Sequence, residues 1–194
     1  MILNKSKHHS AKWLFINEAI KGFRRNGSIL PSSKFLTENM LRPIKMRENI
    51  LIIELGAGTG IFTWQIIEKM PENATLIVVE SNPTLVKYLE TKIKDRRVHI
   101  IEDDAASLEK YLLKFGYEKA DYVISGLPLG NMKKNQRQEI LLAIKNSLKD
   151  QGTYIQFQYL LSSLAHVKKI FRVKSIEFVF LNVPPAFVYV CVPK

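Results

Sequence analysis

Three glycines spaced two apart, Gly56, Gly58 and Gly60, stand between an apolar run, Ile50-Leu-Ile-Ile-Glu-Leu55, and an amphipathic stretch from Ile61 to Met70. The run is short, β-branched and almost without polar residues, as in a strand covered on both faces. The stretch after it has helical length. A strand, a glycine turn and a helix in that order let the backbone approach closely whatever binds at the strand's carboxyl end. Such a unit belongs to an open sheet with helices on both sides.

The following hundred residues repeat the unit. Thr75–Glu80, Val98–Ile101 and Tyr122–Ser125 are further short apolar runs. The helix candidates between them carry their own punctuation. Asn82 and Pro83 read as N-cap and first helical residue; a helix from Ala105 to Phe115 stops at Gly116, and one from Asn135 to Lys149 ends before Gly152. Strand and helix alternate, so the fold class is α/β with a doubly wound, Rossmann-like sheet. The last third changes rhythm. Thr153–Tyr159 alternates, a helix is expected over Leu161–Phe171, and Val173–Leu181 and Phe187–Val192 read as strands joined by Asn182-Val-Pro-Pro185. With no room for a helix between them they must pair as a hairpin, so the sheet ends on an antiparallel strand.

A chain of 194 residues with 46% hydrophobic residues supports one sizeable core. We place a boundary at the charge shift: a basic, helical extension over 1–48 and the α/β domain over 49–194. The lone cysteine, Cys191, can form no intramolecular disulfide, which suits a reducing compartment. The apolar stretch Trp13–Ile16 is too short for a signal peptide, and no run approaches the ~20 residues of a membrane span. A cytoplasmic protein, free or peripheral, is expected. Residues 1–49 hold ten Lys and Arg against three Glu, so +7 of the net +11 lies there. That concentration is either a solvated face or the footprint of a polyanion, meaning nucleic acid or an anionic membrane surface.

Glu54-Leu-Gly-Ala-Gly-Thr-Gly60 resembles the first motif of class I methyltransferases, whose cofactor is S-adenosyl-L-methionine and whose sheet has seven strands. The resemblance implies that Glu54 and the loop of Gly56, Ala57, Gly58, Thr59 and Gly60 hold the amino-acid part of that cofactor. Glu80, with Ser81 after it, ends the second strand, where a carboxylate can accept both ribose hydroxyls. Asp104 follows the third strand, and with the Ala105 amide it could read the adenine edge. The competing dinucleotide reading would want Gly-x-Gly-x-x-Gly and a catalytic His or Tyr-x-x-x-Lys. His8, His9, His99 and His166 fall in a basic leader, a strand and a late helix, none of them suited to that role.

Ser125-Gly-Leu-Pro-Leu-Gly130 follows the fourth strand, where class I enzymes that modify amino nitrogens place the acceptor. Ser125, Leu127 and Pro128 are the candidate catalytic residues, with backbone carbonyls at the proline bend orienting an amine. Ser125 is a candidate for the cofactor as well. Ribosomal RNA adenine dimethyltransferases carry Asn and an aromatic at the positions of Ser125 and Leu129, the ring stacking on a flipped base. Bacterial phospholipid N-methyltransferases are similar over nearly the whole chain: Gly27-Ser-Ile-Leu-Pro-Ser-Ser33 before Phe35-Leu36, the glycine loop, Ser125–Leu129, and Asn182-Val-Pro-Pro-Ala186. In the RNA enzymes the segment that matches Ser33–Leu36 reads Gln-Asn-Phe-Leu and touches the cofactor, which adds Phe35 and Leu36 to the cofactor site; Leu129 is a candidate on the acceptor side.

It also gives the N-terminal charge a role. A helix from Lys7 to Arg25 would align Trp13, Ile16, Ile20 and Phe23, with Lys12, Lys21, Arg24 and Arg25 around them. Trp13, Lys21, Arg24 and Arg25 are candidates for contact with lipid, either as an interfacial anchor or as a lid on the domain. The expected activity is methyl transfer to the amino headgroup of phosphatidylethanolamine at the inner face of the cell membrane, without a metal. The alternatives are an RNA adenine methyltransferase and a non-catalytic lipid- or nucleic-acid-binding module. Asp103, Ser125 or water could take the proton of the acceptor amine.

Overall fold

In the computed structural model, which describes residues 31–194, all five residues of the strand before the glycines, Leu51–Leu55 (β1), are buried. The expected helix 7–25 and its Trp13, Lys21, Arg24 and Arg25 lie outside the described residues. A helix, α1 (Pro31–Leu41), comes before β1. There follow α2 (Ile61–Lys69), β2 (Thr75–Glu80), α3 (Pro83–Lys92), β3 (Val98–Glu102), α4 (Leu108–Lys114), β4 (Ala120–Ser125) and α5 (Lys134–Ser147). The chain finishes with β5 (Leu148–Gln158), α6 (Leu164–Ile170), β6 (Phe171–Val179) and β7 (Ala186–Pro193). The strands form one seven-stranded sheet in the order β3-β2-β1-β4-β5-β7-β6. The first five are parallel, and β7 runs antiparallel to both neighbours. The order reverses between β1 and β4, and ligands bind at such a switch point, beyond the carboxyl ends of the strands.

Each face of the sheet is buried under helices. On one side Leu108, Leu112, Ile140, Leu141, Ile144 and Val167 of α4, α5 and α6 pack with Ile53, Val123 and Tyr154 of the sheet. On the other, Leu36, Met40, Phe62, Ile66 and Leu89 of α1, α2 and α3 cover Ile52, Ile124, Ile155 and Val188. Full burial of one such aliphatic side chain contributes about 1.5–3 kcal/mol, which is why runs with apolar residues on both strand faces outcompete alternating ones here. Leu36, Met40, Leu41 and Ile44 belong to the second core. The described part of the basic extension is therefore packed into the domain.

Three elements differ from the sequence expectation, one of them the helix expected over 161–171, which is a 3-10 turn over Leu161–Ser163 followed by α6, with Phe171 already in β6. The helix expected over 105–115 is divided, with a 3-10 turn over Ala105–Ser107 before α4, because the Asp104 side chain accepts from the Ala106 amide and tightens the first turn. Strand β5 begins at Leu148, five residues before the alternating segment. The register passes from Ala120↔Leu148 to Tyr122↔Thr153, so residues 149–152 bulge out of the ladder. Lys149 is held there by an ion pair with Asp121, whose carboxylate also accepts from the Leu51 amide at 2.9 Å and from Arg47 at 2.6 Å. That carboxylate ties β1, β4 and β5 together at the end of the sheet away from the glycines.

The Asn82 cap is formed as expected: Oδ1 accepts from the amides of Thr84 at 3.0 Å and Leu85 at 3.4 Å, with Pro83 at the first helical position. Asn82→Ala should cost about 1 kcal/mol. Chemical denaturation of the two proteins measures it as a lower midpoint with an unchanged slope.

Candidate active site at the carboxyl edge of the sheet

The glycine loop leaves β1 with its Gly56 amide donating to the Val79 carbonyl of β2 at 2.8 Å. Gly58 lies at φ +60°, a left-handed conformation that costs an L side chain about 1–2 kcal/mol. A Cβ built on it would meet no atom of the described residues within 4 Å, so among them the loop backbone borders open space. Beneath the loop, Glu54 is wholly buried. Its Oε2 accepts from the Thr63 hydroxyl of α2 at 2.7 Å, while Oε1 has no partner among the described residues. Burial pushes its pKa up to about 7, against the lowering effect of the Thr63 hydrogen bonds and with a smaller push from Glu80. An unsatisfied buried carboxylate oxygen is costly unless a cation or donor reaches it.

Glu80 faces the same loop from β2. Its Oε2 accepts from the Gly58 amide and its Oε1 from the Asn82 amide, both at 2.9 Å. It braces the loop against α3, and each oxygen keeps a lone pair for a further donor. Ser81 is exposed and Thr59 half-buried. One strand farther on, Asp104 is exposed and caps the turn that starts at buried Ala105. Its neighbour Asp103 accepts from the Tyr111 hydroxyl at 2.5 Å and lies 3.6 Å from Lys110. The Tyr111 hydrogen bond, then the Asp104 amide, hold its pKa below the usual carboxylate range. Asp103 follows β3, three strand spacings from the acceptor turn, or about 14 Å. It is too distant, and too well engaged, to take a proton there.

The turn after β4, the expected acceptor turn, is pinned beside the glycine loop. The Gly126 amide donates to the Leu55 carbonyl at 2.9 Å, and a Cβ on Gly126 would come within 3.0 Å of the Gly56 carbonyl. Ser125 is fully buried, and its Oγ accepts from the Leu127 amide at 3.2 Å. Pro128 is exposed, with φ −79° and ψ 65°, closing an inverse γ-turn in which the Leu129 amide donates to the Leu127 carbonyl. That carbonyl also accepts from Gln158 Nε2 at 2.8 Å and Gln156 Nε2 at 3.1 Å. Two expectations are corrected by this geometry. The Leu127 carbonyl is saturated within the protein and is not offered to an acceptor, and Leu129 is fully buried in the core instead of facing one. The reason is the buried Arg137, which donates to the Leu129 carbonyl at 3.0 Å and draws residue 129 inward.

Leu36 is buried in the same core cluster as Ala57 and Phe62, while Phe35 is exposed at the start of α1. The site also contains residues that the sequence reading does not single out. Thr63 orients Glu54, and Gln156 and Gln158 fix the acceptor turn from β5. Phe157 packs edge-on against Phe62 at 5.8 Å and against Tyr159 at 5.7 Å, which joins the loop to the exposed end of β5. Glutamines at alternate positions of a strand that is otherwise buried are the available signal. Among the described residues no group of three or more His, Cys, Asp or Glu is placed to hold a metal ion.

A family model described as a methyltransferase domain matches residues 52–152. Ornithine lipid N-methyltransferase of Singulisphaera acidiphila is 30% identical over 185 residues, which cover 92% of this chain and 94% of that protein. Ribosomal RNA small subunit methyltransferase A of Mesomycoplasma hyopneumoniae is 29% identical over 75% of this chain, a match that spans 62% of that protein's length. Among solved structures, a TehB-like SAM-dependent methyltransferase from Corynebacterium glutamicum superposes with a TM-score of 0.62 at 13% identity, covering 97% of this chain and 98% of that one. The glycopeptide N-methyltransferase MtfA complexed with S-adenosyl-methionine gives 0.68 at 9% identity over 84% of this chain and 94% of that one. The unpartnered Glu54 oxygen and the open space beside Gly58 fit that cofactor. The chain belongs to the class I S-adenosylmethionine-dependent methyltransferases, in the part of that family that resembles lipid N-methyltransferases.

Proposed function

We propose that this methyltransferase transfers methyl groups to the primary amine of a membrane lipid headgroup, with phosphatidylethanolamine as the acceptor. The acceptor turn carries the reading. It lies beside the glycine loop, exposes Pro128, and buries leucine at residue 129, where a base-flipping RNA enzyme would stack a ring. The similarity to an ornithine lipid N-methyltransferase over most of both chains supports a lipid amine. The N-terminal sequence, in which Lys21, Arg24 and Arg25 accompany Trp13, supports an anionic membrane surface at the inner face of the cell membrane.

In this reading Glu54 and residues 56–60 hold the amino-acid end of S-adenosylmethionine, Glu80 with Ser81 its ribose and Asp104 with the Ala105 amide its adenine, while Phe35 and Leu36 border it from α1. When bound, that cofactor supplies an electrophilic methyl on a sulfonium. The protein's part is alignment. Gly126 and Pro128 set the approach of the amine, since the carbonyls of Leu127 and Leu129 are already engaged. The amine must arrive neutral, because only its lone pair can form the new nitrogen–carbon bond. Ser125 is buried and bonded to Leu127, and Asp103 is remote, so the proton leaves to water.

The test supplies purified protein and tritiated cofactor with anionic vesicles holding phosphatidylethanolamine, with vesicles holding ornithine lipid, and with ribosomal RNA. Label in the phosphatidylethanolamine is expected. Label in ornithine lipid alone would change the acceptor, and label in RNA alone would overturn the lipid reading.

A further inference from the structure

The connection between β6 and β7 displays large apolar side chains that the core does not use. Phe178 is 56% exposed, Phe180 71%, Leu181 56% and Val183 80%. The Phe178 ring lies 5.0 Å from that of Phe187 and 6.4 Å from that of Phe180, so the group is a cluster and not a scatter of single residues. Gln158 pairs with Phe187 and Val179 with Ala186, which places the connection beyond the carboxyl end of β5. That is the edge on which the glycine loop and the acceptor turn lie.

The cluster is continuous with the acceptor turn. Leu160 and Leu161, 67% and 44% exposed, follow β5 directly. The Tyr189 hydroxyl, two residues along β7 from Phe187, donates to the Leu160 carbonyl at 3.4 Å. The 3-10 turn Leu161–Ser163 touches the 3-10 turn Leu129–Asn131, with a Cβ on Gly130 falling 2.6 Å from Ser162 Oγ. Exposed Lys133 and Lys134 continue from that second turn. The acidic residue near the cluster, Glu177, is paired with Arg42. An aromatic and aliphatic tip, continuous through Leu160 and Leu161 with a turn that carries two exposed lysines, matches a bilayer interface, with the rings among the headgroups and the lysines toward anionic lipid.

We infer that the β6–β7 tip, together with Leu160 and Leu161, is a membrane-docking rim that inserts into the headgroup layer of an anionic bilayer and brings the acceptor turn level with the lipid amines. What the rim delivers rests on the lipid-amine reading; its insertion can be measured without it. Val183→Cys carrying a polarity-sensitive fluorophore reports from the tip, and Cys191 stays unlabelled because it is fully buried and burial pushes its thiol up to about 12. On adding phosphatidylglycerol–phosphatidylethanolamine vesicles the emission should shift to the blue. Phe180→Ser with Leu181→Ser should weaken vesicle co-sedimentation by about tenfold or more, the loss of two buried apolar side chains, and leave cofactor affinity unchanged. A fluorophore that stays aqueous while the protein sediments, or one already in an apolar site before vesicles are added, overturns the inference, the latter by showing that the chain covers its own rim. Insertion without methylation of any lipid upholds the rim and removes the lipid-amine reading alone.

Discussion

Glu54→Gln should raise the unfolding midpoint of the cofactor-free protein at about pH 8, above the raised pKa, and weaken its binding of S-adenosylmethionine by about 10–100-fold. Both effects come from one carboxylate. Glu54 is buried with one oxygen bonded to Thr63 and the other to nothing among the described residues, and burial pushes its pKa from 4.5 to about 7. Between those values the folded protein holds a proton that the unfolded chain has released. Stability therefore falls as pH rises through this window, and above about pH 7 the full penalty, on the order of 3 kcal/mol, is present. Glutamine keeps the shape and the Thr63 hydrogen bond without a titratable proton. The variant and the parent should converge below pH 4.5 and separate above it, with the variant the more stable. Binding should move the other way, because a charge-assisted hydrogen bond to the cofactor's ammonium contributes about 1.5–3 kcal/mol and an amide supplies less. Parent affinity should also fall as pH drops through about 7, where the carboxylate is neutralised, while the variant's stays flat. Thermal melts and calorimetric titrations across pH measure both.

Gly58→Ala should reduce cofactor affinity by more than about tenfold while lowering stability by only about 1–2 kcal/mol, the cost of a left-handed alanine. The Cβ meets nothing of the described residues within 4 Å, so their packing has no other reason to object. In the proposed reading, the space it enters is the space the cofactor needs. Gly60→Ala is the contrast. At φ +85° its Cβ would lie 2.8 Å from Leu89 Cδ2 and 3.2 Å from Trp64 Nε1, inside the packing of α2 and α3. Its loss should be mainly of stability. If the two variants lose cofactor affinity in proportion to stability, the open space beside Gly58 is not the binding site.

Local spacing carried the parallel half of the sheet. Thr75–Glu80 has the bounds read from its apolar run, and Asn82-Pro83 starts α3 as its chemistry requires. The antiparallel end followed from the short connection Asn182–Pro185. The acceptor side was less legible because it depends on pairings distant in sequence. Nothing near Leu127 tells that its carbonyl meets Gln156 and Gln158, since those side chains arrive only when β5 pairs with β4. Leu129 resembled an acceptor contact by position, yet Arg137, eight residues on, turns it into core. Likewise α1 belonged to a basic extension by charge and to the second core by its Leu36, Met40 and Leu41. Charge describes the solvent face of a helix and leaves its packed face unread.

The most direct measurement of the central claim is mass spectrometry of phosphatidylethanolamine after incubation, in anionic vesicles, with the purified protein and a cofactor whose transferable methyl is deuterated. Labelled methyl groups on the headgroup nitrogen, in step with release of the demethylated cofactor, are the predicted result. An unchanged lipid alongside cofactor that is consumed only when RNA is supplied would contradict it.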